Sequence, residues 1–291
     1  MKITRLSDVE RRPRRVAVGT FDGVHLGHRE VIDGSDTVLT FEPHPVSVVA
    51  PGHEPPLLTP LERKAELIAE LGVEEVVVVA FDRDFAQRSA QSFLDDVLVG
   101  ALDARRVSVG ENFRFGHKAK GDPDLLRSDS RFATHVAPLL EVDGEVVSSS
   151  HIRGLVLGGA VEYADRLLGR PFRHSGEVVH GDKRGRELGF PTANVVPQDG
   201  YVLPGHGVYA CLANGHPAAV NVGVRPMFET GRGELIEAYL IDWDGDLYGR
   251  VLHVDFLKRL RGERRFPSVE ALVEQMSRDV DAAVATVTGR T

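Results

Sequence analysis

A single cysteine, Cys211, among 291 residues excludes an internal disulfide and a cysteine metal cage. That scarcity suits a reducing compartment. Long apolar runs are also missing: the longest aliphatic stretch, residues 76–80, is far too short to cross a bilayer. The opening Met1-Lys2-Ile3-Thr4-Arg5 lacks the apolar core of a secretion signal, so a soluble, cytoplasmic protein without a membrane partner is expected. Positive charge is in deficit, with a formal net charge of -8, which argues against a general nucleic-acid partner. The cluster Arg11, Arg12, Arg14 and Arg15 is an exception, and it reads as a solvated segment ahead of a strand. No Gly-Lys-Ser/Thr phosphate loop occurs, which excludes the ordinary phosphate-loop enzymes.

What remains is an ordinary globular composition, 42% hydrophobic and 27% charged, in a chain long enough for two domains. The first half is organised around Val16-Ala17-Val18-Gly19-Thr20-Phe21-Asp22-Gly23-Val24-His25-Leu26-Gly27-His28. An apolar strand runs into a glycine turn and then a helix start, where backbone N–H groups and two imidazoles converge on an anion such as a nucleotide phosphate. The helix is short, residues 28–33 before Gly34. Strands are predicted at 37–41, 73–81 and 106–110, with helices at 61–71 and 89–98. Strand and helix in alternation predict a parallel sheet whose ligands collect at the carboxyl ends of the strands.

Two more stretches fall near such ends: Gly110-Glu111-Asn112-Phe113-Arg114-Phe115-Gly116, and Val147-Ser148-Ser149-Ser150-His151-Ile152-Arg153. Taken singly each has a plain alternative. His25 and His28 could be a structural pair or half a metal site, the serines a helix N-cap, Asn112 a turn residue. In combination, with Phe41-Glu42-Pro43-His44-Pro45, they resemble the His-x-Gly-His nucleotidyltransferases. Within these, they are similar to the adenylyltransferase module of the prokaryotic bifunctional riboflavin kinase/FAD synthetase family. The resemblance implies a Rossmann-like domain that transfers AMP from ATP to FMN and releases pyrophosphate. It implies His25 and His28 as catalytic donors. It places Gly19, Phe21, Asp22, Gly23, Gly27, Asn112, Ser149, Ser150 and Arg153 around the nucleotide, with Arg153 on the pyrophosphate. Two features depart from the family: the helix after His28 is abbreviated, and Ser150 stands where threonine is usual.

The second half changes texture after a helix over residues 155–169 that is interrupted at Gly158-Gly159. Short strands at 176–179, 207–213, 218–222, 234–241 and 250–257, separated by Gly and Pro, predict an antiparallel barrel, followed by a helix over 268–287 capped by Ser268. Its chemical centre is Gly181-Asp182-Lys183-Arg184-Gly185-Arg186-Glu187-Leu188-Gly189-Phe190-Pro191-Thr192-Ala193-Asn194. Read alone, this is a surface hairpin or a flexible loop with phosphate- and metal-binding groups. The Thr192/Asn194 pair supplies hard oxygens suited to Mg²⁺ on ATP.

This half resembles the riboflavin kinase module of the same family. The match continues through Gly207-Val208-Tyr209-Ala210, Asn221-Val222-Gly223, Glu237 before Leu240-Ile241-Asp242, and Leu247-Tyr248-Gly249. It implies a flavin-binding barrel in which Gly181, Lys183, Gly185, Thr192 and Asn194 hold Mg-ATP, with Thr192 and Asn194 at the metal. Glu237 becomes the catalytic base for the ribityl hydroxyl, and Glu234 falls on the opposite strand face. Met227 replaces a threonine common in the family. Phe41, Phe113, Phe115 and Tyr248 are candidates for stacking on the flavin, although aromatics of this kind more often pack in a core. The expected domains are 1–169, an FMN adenylyltransferase, and 170–291, a riboflavin kinase. Riboflavin, FMN, FAD and ATP are the expected partners, with Mg²⁺ as cofactor. The alternatives are a kinase with a silent adenylyltransferase domain, and a non-enzymatic flavin- or nucleotide-binding regulator.

Overall fold

The computed structural model describes residues 1–181, 185, 188–224 and 233–290. They form two compact units, Met1–Ser149 and Ser150–Thr291.

The first unit is built on six strands: β1 (Lys2–Arg5), β2 (Arg14–Val18), β3 (Thr37–Glu42), β4 (Glu75–Ala80), β5 (Ala104–Gly110) and β6 (Ala133–Ala137). All pair in parallel, in the order β1-β4-β3-β2-β5-β6. Strand alternation sends Val16, Val18, Leu39 and Val77 to one apolar layer with Phe93 and Leu98. Ala17, Val38 and Val76 go to another, with Ile32, Leu67 and Ile68. The connecting helices are α1 (Leu26–Ile32), α2 (Pro45–Val49), α3 (Leu61–Ala69), α4 (Arg83–Ala86), α5 (Ala90–Ser92, continued by a π-helix over Phe93–Ala101) and α6 (Pro123–Ser128). A hairpin of β7 (Glu141–Val142) and β8 (Glu145–Val146) closes the unit. From β2 the chain steps to β3 on one side, while β5 flanks it on the other. The turn after β2 therefore sits at the switch point where such sheets bind ligands.

One expectation needs correction. Arg14 is not part of a solvated segment: its side chain is 1% exposed and its Nη2 lies 3.0 Å from Glu75 Oε2. Burial pushes the Glu75 carboxyl upward, but the Thr4 hydroxyl and the Arg14 guanidinium outweigh it and hold the group below its ordinary value.

Helix α7 (Ser149–Leu157) starts on the last residue of the first unit and otherwise belongs to the second, where α8 (Val161–Leu168) follows it after Gly158-Gly159. Six antiparallel strands follow: β9 (Phe172–Val179), β10 (Ala193–Pro197), β11 (Gly207–Ala213), β12 (His216–Val224), β13 (Glu234–Leu240) and β14 (Val251–Arg261). They close as β10-β13-β12-β11-β14-β9. Inside lie Val195, Val220, Ile236, Ala238, Val254 and Phe256, all fully buried. Helix α9 (Val269–Thr288) ends the chain; Ser268 Oγ caps it by accepting the Ala271 N–H. Among the described residues no helix is long and apolar enough to cross a membrane.

Candidate functional site

The turn after β2 is tightly wound. Phe21 and Val24 take left-handed backbone (φ 49° and 40°), as does Gly23 (φ 87°), which has no Cβ to resist it. For Phe and Val that conformation is costly and concentrates at functional sites. Its product is a histidine pair: the rings of His25 and His28 stack at 3.5 Å and 16°. Phe21 meets His28 edge-on at 5.3 Å. His25 Nδ1 accepts the His28 N–H at 3.2 Å and so caps α1, which in a neutral ring leaves the proton on Nε2. Gly27 leaves room beside the His25 ring: a Cβ there would lie 3.4 Å from two of its atoms. Gly19 packs against the Phe21 ring, which a Cβ would approach to 3.0 Å.

Asp22 is buried, and its carboxylate accepts the N–H groups of Leu58 (2.9 and 3.1 Å) and Thr59 (3.1 Å). Its own carbonyl accepts the Ser149 hydroxyl at 2.8 Å. Asp22 thus ties the loop before α3 and Ser149, the last residue of the first unit, to the histidine turn. Ser150 and Arg153 continue α7 beyond Ser149, with Arg153 9% exposed. Asn112 is exposed, just beyond the carboxyl end of β5. The candidate aromatics divide: Phe41 and Phe115 are buried in the core, whereas Phe113 is half-buried and stacked on Phe115 (5.5 Å, 19°). Tyr248, in the second unit, lies against His180 at 3.8 Å. Lys64 carries no local sequence signal of a site residue. It is buried on α3; burial pushes its ammonium down, and the charges of Asp22 and Glu42 pull it up.

In the barrel, one row of side chains crosses three strands. Asn194 of β10 and Asn221 of β12 are both register partners of Glu237 on β13, so all three share a face. Along β13 the buried Ile236, Ala238 and Leu240 face inward, while half-buried Glu237 and Tyr239 face outward. Glu234 is exposed at the strand's start, on the other face by alternation. The outward side is a cavity of about 720 Å³, lined by Thr192, Asn221, Glu237 and Tyr239, by Arg261 and Arg264, and by Leu272, Met276 and Val280 of α9. The α9 residues recur every four positions, a stripe visible in the sequence and not read as a site wall.

Asn221 Nδ2 donates to Glu237 Oε2 at 3.2 Å. Arg261 and Asp279 pair at 2.8 Å and join β14 to α9. Asn194 Oδ1 is buried with no hydrogen-bond partner among the described residues. Gly181 permits that packing, because a Cβ there would fall 2.2 Å from Asn194 Nδ2. A Cβ on Gly185 would fall 2.3 Å from the Phe190 carbonyl and 3.3 Å from Thr192 Oγ1. Lys183 and Met227 lie outside the described residues. Among the described residues no group of three His, Cys, Asp or Glu could hold a metal.

Comparison with known proteins divides the chain as its two sites do. The family model of FAD synthetase matches residues 8–151, and that of riboflavin kinase matches residues 168–287. A bifunctional riboflavin kinase/FMN adenylyltransferase of Bacillus subtilis is 39% identical over 289 residues, covering 92% of this chain and 91% of its own. One from Escherichia coli is 39% identical over 282 residues, covering 91% and 90%. A crystal structure described as a macrolide-efflux protein from Streptococcus pneumoniae superposes with a TM-score of 0.88 at 29% identity, covering 97% of this chain and 99% of that one.

Proposed function

The chain belongs to the bifunctional riboflavin kinase/FMN adenylyltransferase family, and from that premise we propose how its residues divide the two ATP-dependent reactions. Riboflavin is phosphorylated to FMN, and FMN is adenylylated to FAD. One observation carries the division of labour: each compact unit holds its own group of chemically competent side chains. These are the stacked histidines in the first unit and the Glu237 cavity in the second.

In the adenylyl transfer, an FMN phosphate oxygen attacks the α-phosphorus of ATP and pyrophosphate leaves. His25 and His28 donate to the α-phosphate oxygens, where negative charge gathers in the transition state. A guanidinium fork suits the leaving pyrophosphate, the role that the family resemblance gives Arg153. Gly19, Phe21, Gly23, Gly27, Asn112, Ser149 and Ser150 shape the nucleotide pocket. The tie made by Asp22 is structural as well, since its carboxylate is engaged by backbone amides.

In the kinase reaction, Glu237 accepts the proton of the ribityl 5′-hydroxyl as that oxygen attacks the γ-phosphorus, and ADP leaves. The buried Asn194 Oδ1 and the cavity-lining Thr192 fit a hard cation such as Mg²⁺. When bound with ATP, that ion neutralises phosphate charge. Gly181 and Gly185 admit the close approaches around Asn194 and Thr192. We assign the protein to the cytoplasm, on the ground that both of its family's activities draw on ATP.

The two sites are tested separately. With His28→Ala, riboflavin and ATP should yield FMN that accumulates, with FAD formation down on the order of 10²- to 10³-fold. With Glu237→Gln, riboflavin should persist while supplied FMN is still converted. If both folded variants lost both activities, the division would be wrong.

A further inference from the structure

Glu237 stands in the middle of three strands, with a register partner on each side. The partners differ. Asn194 leaves its Oδ1 unsatisfied among the described residues, whereas Asn221 gives an N–H to one oxygen of the Glu237 carboxylate at 3.2 Å. Resting on the reading of Glu237 as base, we propose that Asn221 is a positioning residue for riboflavin phosphorylation: its amide donates to Oε2 and helps to fix the carboxylate plane in the orientation that receives the proton of the substrate hydroxyl.

Local structure supplies a reason to hold the carboxylate. Glu237 lies on the outward face of β13, between the inward-packed Ile236 and Ala238, so strand packing sets its backbone and leaves the end of its side chain to be oriented by polar contacts such as that with Asn221. A glutamate has three side-chain torsions, the last of them broad. A base must meet its proton within hydrogen-bond reach, and misplacement by an ångström is costly. Asn221 sits on β12, flanked by the buried Val220 and Val222, so its own position is set by strand packing. It is therefore a short-chained donor acting on a longer acceptor. Both line the same cavity, and Gly223 keeps the next outward position free of a side chain.

The test is a double-mutant cycle read on kcat and KM for riboflavin phosphorylation in the full-length enzyme. Asn221→Ala should lower kcat on the order of 10- to 100-fold, the loss usual when an orienting partner is removed, with the KM values for riboflavin and ATP little changed. FMN adenylylation by the same preparation should be unaffected. In a Glu237→Asp background, whose shorter carboxylate falls out of reach of Asn221, Asn221→Ala should cost little more. A merely structural asparagine would give the same loss in both backgrounds, or would raise KM with kcat unchanged; either result overturns the proposal. Asn221→Thr, suited to a strand, carries the same expectations should Asn221→Ala fail to fold. Full kinase activity in Glu237→Gln would overturn the base assignment itself. An inactive Glu237→Gln beside an unimpaired Asn221→Ala would overturn only the role of Asn221.

Discussion

Burial settles the charge of His174. Its Nδ1–H donates to the Val202 carbonyl at 2.9 Å, and its Nε2 accepts the Gln198 N–H at 3.2 Å, so the neutral ring is fully satisfied. Desolvation lowers its pKa to about 4, and the bond to Val202 only partly opposes the shift. An unfolded histidine titrates near pH ~6.5. Between these values the unfolded chain binds a proton that the folded one refuses. Stability is therefore whole above the upper value and is lost as the pH falls toward the lower one, by about 3 kcal/mol in all. His174→Leu removes the titration and leaves two backbone groups unpaired. It should be less stable than wild type at pH 7.5, and the gap in urea midpoint should narrow steadily toward pH 5. A gap that stays constant would mean that His174 does not titrate in this window.

At the scale of elements, α1 shows how little helix the histidine turn needs. Its seven residues end at Ile32, and the His25 side chain supplies its N-cap. Support comes instead from Asp22, which holds the Leu58 and Thr59 amides and whose carbonyl takes the Ser149 hydroxyl. Asp22→Ala would leave two amides unpaired, at a cost of about 1–3 kcal/mol. FAD formation from supplied FMN should fall several-fold while riboflavin phosphorylation holds, as separate assays of the two steps would reveal. Equal loss of both steps would contradict a local role. None of this support was legible in the chain, because Asp22 and Leu58 are 36 positions apart and no local pattern announces their pairing. Buried strands were legible where apolar runs are continuous, as in β2 and β4, and so was the barrel with its capped last helix. The missed strands are those without such runs. In β1 only Thr4 is buried, in β6 only Ala137, and β10 follows directly on the glycine loop. Arg14 misled for a related reason: its partner, Glu75, is 61 positions away. Asn221 lay within a recognised motif, yet its role emerges only once β12 and β13 pair.

For the whole molecule, the two sites share an intermediate. The cavity around Glu237 is lined wholly by residues of the second unit, and the stacked histidines belong to the first. Each unit has its own core, the double-layered sheet in one and the barrel interior in the other. A lesson follows for chemistry in series: a chain defective at one site retains the means to act at the other, and FMN is the only species the two steps must exchange. His28→Ala and Glu237→Gln, each unable to take riboflavin to FAD alone, should therefore complement when mixed. FMN made by the first would be adenylylated by the second. In a product time course, FMN should rise first and FAD follow after a lag that shortens as the share of Glu237→Gln increases. If the mixture makes FMN but no FAD, while Glu237→Gln still converts supplied FMN, then FMN must be retained by the chain that makes it. Free exchange between the sites would then be refuted.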